Sequence, residues 1–500
     1  MEIGIARLIW IHQNFVSRHQ AGNSRPVLLL SALLERGWSI DLICGHGSYL
    51  DSDIEPSRYL TETEGNLRIH RLGMSRGKYG HHRRKASYVD FSRKALGLAL
   101  RLEHPDLIYC SSPPLPQVLP ALFLAAYRHL PLVFEVRDLW PAMLVEIGMV
   151  KSSILDGLLS VLEASVARFA DRCLMVSPGF TRYFEALGVP KCKIEVIPTG
   201  SDSALADCPP ELARSWRSAN DLDGNIVVLY AGSLNEYYGI EDVLRAADRA
   251  YGHDPRIVWV FCGDGRERPR VTAAARKNSY VRDLGPIPKT ALAPLLKGAD
   301  IALVTLSDYP LFRSVLPGKL FDYMAAGLPV LSCASGHSEE ILTRSGAGWS
   351  CEAQASLGDT PTRFLAGAAV EMAALSPEER RAMGEAGQKW AAAWMNAHQL
   401  ARDWAVGLDQ TFIDSQTSER RPKPGLRRLL RSLLGGVADV ALGRSRGARE
   451  AISRPEAQLQ SADSLGEWLD SRSEARVAYL LDVPLILSES SVDASDHRSM

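Results

Sequence analysis

The stretch Leu306–Val330, LSDYPLFRSVLPGKLFDYMAAGLPV, gathers more chemistry-bearing residues than any other part of the chain. The apolar run Ile301–Leu306 predicts a strand, followed by a loop rich in Pro and Ser. Helix signals come next in the expected order, with Pro317 at the start, Gly327 at the end and Pro329 beyond. Arg313 and Lys319 lie beside that helix start. There, free backbone N–H groups around Val315, Leu316 and Gly318, together with the helix dipole, favour a phosphate. Asp322 follows inside the helix, within reach of hydroxyls on whatever carries the phosphate. The pattern suits a nucleotide diphosphate.

Four further segments carry candidate chemistry. The loop HQNFVSRHQAGNSR (12–25) places Gly22 and small polar residues just before a helix. It reads either as a plain strand–helix turn or as a turn whose N–H groups face a ligand. No G-x-G-x-x-G fingerprint is present there, which argues against a dinucleotide. FEVRDLWPAM (134–143) puts Glu135, Arg137, Asp138 and Trp140 at the end of a buried run. Such charges form a structural ion pair or face a cleft; in the second case Asp138 orients a sugar hydroxyl or accepts a proton. LYAGSL (229–234) and FCGDGRER (261–268) are strand ends running into glycine turns, where backbone can approach a ligand closely.

The elements that must hold these residues alternate. Apolar runs at Ile5–Ile11, Ser39–Ile43, Leu67–Arg71, Leu107–Cys110, Leu132–Val136, Arg172–Val176 and Ile194–Ile197 are separated by helical stretches. After the polar stretch Ser201–Gly224 the pattern restarts, with strands expected at Ile226–Ala231, Ile257–Cys262, Val281–Leu284, Ile301–Leu306 and Val330–Cys333. Ser376 to about Phe412 reads as one continuous helix. Alternation of this kind predicts two α/β domains, each a doubly wound parallel sheet, facing across a cleft where such sheets place ligands. The expected division is residues 1–203, residues 204–395, a helix at 396–412 returning to the first domain, and a distinct segment at 413–500.

Composition sets outer bounds. A chain of 500 residues is too long for one core. A formal net charge of −1 argues against a nucleic-acid partner. The eight cysteines are scattered without C-x-x-C or Cys/His clusters, as expected for reduced thiols in a cytoplasmic protein and not for a metal site. The N-terminus carries Glu2 and no basic n-region, unlike a signal peptide, and Pro and charged residues interrupt the longest apolar stretch, Leu115–Val136.

In order along the chain, AGNSR, EVRDLWPAM, MVSPGFTRYFEALGVPKCKIEVIPTGSD, YAGSLNEYYGIEDVL, FCGDGRER, LGPIPK and LPGKLFDYMAAGLPVL resemble retaining glycosyltransferases of family 4, in particular the WbuB-like branch acting on bacterial surface polysaccharides. The resemblance runs from about residue 5 to about residue 400. It implies a GT-B fold of two Rossmann-like domains and transfer of a hexose or N-acetylhexosamine-type sugar, without a metal, from a nucleotide-sugar donor expected to be UDP-linked. The acceptor would be a hydroxyl of a glycan or of a polyprenyl-diphosphate-linked sugar. In the wider family two glutamates eight positions apart contact the donor sugar and the ribose; here they are Ser314 and Asp322. A lysine often found after the AG strand is Tyr238, so Arg313 and Lys319 would meet the diphosphate. Ser233, Gly263, Gly265 and Arg266 would approach the donor, with Ile287 beside the base. The typical histidine of the first domain is replaced, around Asp138, by Arg137–Asp138. Alternatives are a GT-B sugar-nucleotide epimerase or a non-catalytic nucleotide-sugar-binding subunit; the SPG…PTG and DLWP motifs favour transfer.

Beyond residue 413 no resemblance holds. Arg420–Arg449 is basic, with leucines and arginines at helical spacing, and reads either as a solvated helix or linker, or as a helix on an anionic membrane surface. The latter would place the protein at the inner face of the plasma membrane. The last fifty residues are acid-biased and Ser-rich, as expected for a partly disordered tail.

Overall fold

The computed structural model describes residues 6–15, 25–45, 59–73, 81–288, 291–351, 360–417, 425–453 and 465–472. The first domain is built on eight strands: β1 (Arg7–Ile11), β2 (Ser39–Gly45), β3 (Leu60–Glu64), β4 (Leu67–Leu72), β5 (Leu107–Ser112), β6 (Leu132–Val136), β7 (Arg172–Met175) and β8 (Ile194–Val196). They run in the order β3-β4-β2-β1-β5-β6-β7-β8. The second domain adds β9 (Ile226–Ala231), β10 (Ile257–Cys262), β11 (Val281–Gly285), β12 (Ile301–Thr305), β13 (Val330–Cys333) and β14 (Gly348–Ser350), ordered β11-β10-β9-β12-β13-β14. All pairings are parallel except β3 with β4.

The central strands are apolar along their whole length because helices cover both faces. β5, β6 and β10 are buried at every position. Each sheet therefore has a core on either side of it. Sheet order reverses at β1, between β2 and β5, and at β9, between β10 and β12. A crevice opens at such reversals, beyond the strand C-terminal ends.

Two differences from the expected elements have physical causes. Strand β3, LTETE, is exposed at four of its five positions and so carries no apolar signal; it is held by backbone pairing to β4. The segment expected as one helix from Ser376 is two, Pro377–Trp394 and Ala397–Thr417. The break falls where the chain crosses between domains: Ser201 N–H donates to Met395 O and Ala397 N–H to Ser201 O. Past it, Leu400, Ala401, Trp404 and Leu408 join the first-domain core with Trp10 and Leu33.

The segment after residue 413 is not a solvated linker where it is described. Helix Leu426–Ala441 packs along Ser153–Phe169 of the first domain. Residues 465–472 bury Leu465, Trp468 and Leu469 in a second-domain core, while Trp468 Nε1 donates to Val196 O of the first domain at 3.2 Å. The expected disordered tail lies mostly outside the described residues.

Candidate functional site

Helix Gly318–Ala325 begins at Pro317, at the crevice beside β9. The Pro317 side chain offers no cap, and the N–H groups of Gly318 and Lys319 have no hydrogen-bond partner among the described residues. The third, of Leu320, is taken by Pro317 O, and the Val315 N–H expected to be free is taken by Phe312 O. The helix is fixed there by Tyr323, whose hydroxyl accepts from Ala231 N at 2.8 Å and donates to Ala231 O at 3.1 Å. This aims Lys319 over the end of β9. Its Nζ donates to Tyr230 Oη at 2.7 Å and lies 4.0 Å and 4.1 Å from the ring centroids of Tyr230 and Tyr238. Burial lowers its pKa to about 7. Gly232 lies directly beneath it: a Cβ there would sit 3.0 Å from Nζ. Among the described residues no carboxylate pairs with Lys319.

The glycine turns frame this spot by contacts of their own. Gly263 and Gly265 have φ of 151° and 158°, and a Cβ on either would overlap the carbonyl oxygen of Gly232 or Leu234. Leu234 N donates to Asp264 O and Glu267 N to Leu234 O, locking the two turns together. The glycines thus serve close backbone packing between loops. Ser233 lends its carbonyl to Tyr230 Oη. Arg266 is exposed and pairs with Glu236 at 3.3 Å, and Ile287 packs partly buried against the core. Asp322 lies half-buried one helical turn past Lys319.

Arg313 and Ser314 occupy a different setting, the 3-10 turn Pro310–Ser314. Arg313 makes a two-pronged ion pair with Asp308, Nε–Oδ1 at 2.9 Å and Nη2–Oδ2 at 2.8 Å. Ser314 is buried at the seam between domains. Its Oγ donates to Leu311 O at 2.7 Å, and its carbonyl accepts from Ser177 Oγ of the first domain. Gly179, in the S-P-G turn, meets it closely: a Cβ there would lie 2.6 Å from Ser314 Cβ and 2.8 Å from His337 Nε2. His337 opens helix His337–Ser345, is fully buried, and has neither ring nitrogen hydrogen-bonded among the described residues.

In the first domain the two readings of the β6 tip are divided between neighbours. Glu135 forms a buried ion pair with Arg25, Nε–Oε1 at 2.8 Å. Arg137 and Asp138 lie past the strand, both half-buried, with Arg137 Nη2 donating to Pro113 O at 3.1 Å. Desolvation raises the Asp138 carboxyl to about 6, partly offset by Arg137. His12, just past β1, is buried beside them with Nδ1 2.7 Å from Ser111 Oγ. Burial and then the charge of Arg137 push its pKa well down, so it is neutral at physiological pH. Trp140 is partly buried and meets Tyr88 edge-on. Gly22 lies outside the described residues.

Residues 23–200 match the family description "Glycosyl transferase 4-like domain", and residues 225–365 match "Glycosyl transferases group 1". Between them they span well over half of the chain and contain both crevice walls. The chain belongs to family 4 of the GT-B glycosyltransferases. A protein of Escherichia coli (strain K12) named as a candidate colanic acid biosynthesis glycosyl transferase, WcaI, is 30% identical over 120 residues. That match spans 23% of this chain and 28% of the relative's length. Solved structures agree in fold. Sucrose-phosphate synthase from Thermosynechococcus elongatus superposes with a TM-score of 0.63 at 19% identity, over 82% of this chain and 99% of that one. Anabaena HepE, in complex with UDP and glucose, gives 0.59 at 15% identity over 80% and 99%. A UDP-forming trehalose-phosphate synthase from Burkholderia xenovorans gives 0.60 at 15% identity over 83% and 100%.

In this glycosyltransferase cleft, sequence reasoning missed Tyr230, His12 and His337, and named Tyr238 only as standing in a lysine's place. Tyr230 and Tyr238 bracket Lys319, and the signal available was the aromatic pair at the end of an apolar run and in the following turn. His12 follows β1 and is buried, with the charge of Arg137 acting on it. His337 had only its place after a Gly at a helix start as a signal.

Proposed function

We propose that the chain is a retaining glycosyltransferase that moves a hexose or N-acetylhexosamine-type sugar from a UDP-linked donor, without a metal. The acceptor is a hydroxyl of a glycan or polyprenyl-diphosphate-linked acceptor in bacterial surface polysaccharide synthesis, in the manner of the WbuB-like branch. The observation that carries this reading is Lys319, a half-buried ammonium with no acidic partner among the described residues, set above a glycine at an uncapped helix start. A group so placed is poorly solvated until an anion arrives, and a diphosphate supplies one. Support for the donor class comes from HepE, whose structure holds UDP, and for the pathway class from the colanic acid relative.

In the reaction the bond between the sugar anomeric carbon and the diphosphate oxygen breaks, and the acceptor oxygen bonds that carbon on the same face. Lys319 and the N–H groups of the Gly318 helix stabilise the charge gathering on the diphosphate. Asp322, a turn along the same helix, contacts the ribose. Across the cleft Asp138, with its raised pKa, positions the acceptor hydroxyl. Its proton passes to the departing diphosphate, so that charge balances.

A thermal-shift screen against UDP-, GDP- and dTDP-sugars tests the donor, since the true donor stabilises the fold by mass action. UDP-sugars are expected to give the largest shift, and no shift with any of the three overturns the reading. A second reading has one observation behind it: the Ser314 hydroxyl is used up by Leu311 O at the seam. Donor binding without transfer or hydrolysis would make the chain a nucleotide-sugar-binding subunit instead.

A further inference from the structure

Helix Leu426–Ala441 lies antiparallel along Ser153–Phe169, and its inner face is accounted for. Arg428 pairs with Asp171 at 3.0 Å and reaches the Phe169 carbonyl; Ser165 Oγ donates to Ser432 O at 3.2 Å. Gly436 sits against Ser165, where a Cβ would come within 2.6 Å of its hydroxyl, and Gly157 sits against Val440. Arg449, from the next helix, Arg444–Ser453, closes the far end on Asp156 at 2.6 Å and 3.0 Å. Asp439 is buried between Arg168 and Arg444.

The outer face is different. Leu426, Leu430, Leu434 and Val437 follow one another at helical spacing and are all exposed, Leu434 by 69%. The two helices beside it continue the surface. Ser153–Phe169 leaves Ile154 and Leu158 exposed, the former by 76%, and Val118–Arg128 leaves Leu119, Phe123 and Tyr127 at the same spacing. These three helices hold more than half of the large exposed apolar side chains among the described residues. Such concentration marks an interaction surface, since scattered exposed apolar residues are the norm.

The exposed charges without an ion-pair partner on this face, among the described residues, are of one sign: Asp156 of Ser153–Phe169 is taken up by Arg449. On helix Leu426–Ala441 the only acid is the buried Asp439, and Arg428 is paired inward. Arg427 and Arg431 remain exposed between the leucines, with no acidic partner among the described residues. A second copy of the chain, packed symmetrically, would bring these arginines toward one another. A bilayer with anionic headgroups satisfies both features at once, taking the apolar row into its interface and pairing the guanidinium groups with phosphates.

We propose that the layer formed by Val118–Arg128, Ser153–Phe169 and Leu426–Ala441 is a docking surface for an anionic lipid bilayer. This deepens the reading of a lipid-linked acceptor, on which its biological purpose rests, by placing the acceptor-side domain against the membrane. The contact is a composite face and not the C-terminal segment alone. That segment contributes the leucine–arginine row, and the two earlier helices hold it in place and extend it.

Flotation of the full-length protein with vesicles of phosphatidylcholine alone, or mixed with phosphatidylglycerol, tests the proposal. Binding is expected to the mixed vesicles and to fall with salt. R427Q/R431Q should weaken it roughly fivefold per arginine. L430S/L434S should weaken it by about tenfold or more, because apolar insertion is the second signal stable anchoring needs. All four positions are exposed, so thermal unfolding should be unchanged. The proposal is overturned if wild type does not float, if both variants float as wild type does, or if wild type is a dimer that L430S/L434S dissociates. Nucleotide-sugar stabilisation, measured on the same samples, is independent of the face. A failure here therefore leaves the transferase reading standing, and the reverse holds too.

Discussion

Arg313 and Lys319 stand six residues apart, and both suit the same diphosphate by sequence, yet the structure gives them opposite surroundings. Arg313 sits on a 3-10 turn with its guanidinium held in two hydrogen bonds by Asp308. Lys319 sits one turn later, over Gly232, against two tyrosines, and among the described residues its charge meets only ring faces and a hydroxyl. A paired cation at a partly exposed site gains little from a new anion, because it must give up a partner to bind it. A desolvated cation without a carboxylate gains most of what burial took away. On this difference rests our proposal that Lys319 is prepared for a ligand and that Arg313 shapes the loop.

The largest effect expected follows directly. Lys319→Ala should lower kcat by on the order of a hundred- to a thousandfold, the range seen when a single preorganised charge stabiliser is removed. Arg313→Ala should cost roughly tenfold or less, mostly by loosening the loop. Steady-state kinetics on both variants checks this, and equal losses would break the comparison.

The glycines abutting the two cations sharpen it. Gly336 has φ of 76°, and a Cβ there would lie 2.8 Å from Arg313 Cα and overlap its carbonyl. Only backbone is in the way, so Gly336→Ala should destabilise the fold by about 2–4 kcal/mol, read from denaturant midpoints. Gly232→Ala meets the flexible tip of Lys319 at 3.0 Å. Its own φ of 154° strains an alanine as well, so both variants should lose stability, but Gly232→Ala should lose more activity than Gly336→Ala, by moving the ammonium. A reversed order would show that the Lys319 contact is packing and not function.

Much of the scaffold for this comparison is legible in the chain. Buried parallel strands announce themselves as runs such as IVWVFC, because both faces are covered. The helix start at Pro317 and its stop at Gly327 follow from backbone chemistry that acts within a few residues. What was not legible is assembled across distance. Tyr238 and Lys319 meet only because β12 lies beside β9 in the sheet, and Asp308 and Arg313 meet only because a 3-10 turn folds one back toward the other. The break at Met395 is set by Ser201 of the other domain, which no periodicity in the helix itself records.

A pH series separates the cations by a different property. Burial holds Lys319 near 7, so in the free protein it is largely neutral above that value. Nucleotide binding favours the charged form, and above pH 7 the protein must take up a proton to bind. Affinity for UDP should therefore fall as pH rises from about 7, by up to roughly tenfold per unit, and be flat from there down to about pH 6, where the terminal phosphate of UDP takes up its own proton. Arginine stays charged throughout, so Arg313→Ala should keep this slope and Lys319→Arg should remove it. Calorimetric titration in buffers of different ionisation enthalpy reads the proton directly. A slope that survives Lys319→Arg would assign it to another group.

The smallest effect concerns His337, which faces the Arg313 side of the seam and not the Lys319 side. Its ring is fully buried against Gly179, and neither nitrogen is hydrogen-bonded among the described residues; Glu340 Oε2 lies 3.9 Å from Nδ1, beyond hydrogen-bond reach. A buried polar group left in this way costs about 1–3 kcal/mol, and an apolar replacement of similar size can be neutral or stabilising. His337→Leu should therefore raise the unliganded stability by roughly 1 kcal/mol, measured by chemical denaturation. It should leave the pH slope of UDP binding untouched, since that slope belongs to Lys319. Loss of stability instead would mean that the imidazole has a partner in solution. The seam around Ser314 would then be a polar site in its own right, and the Arg313 region would be more than the support of its neighbour.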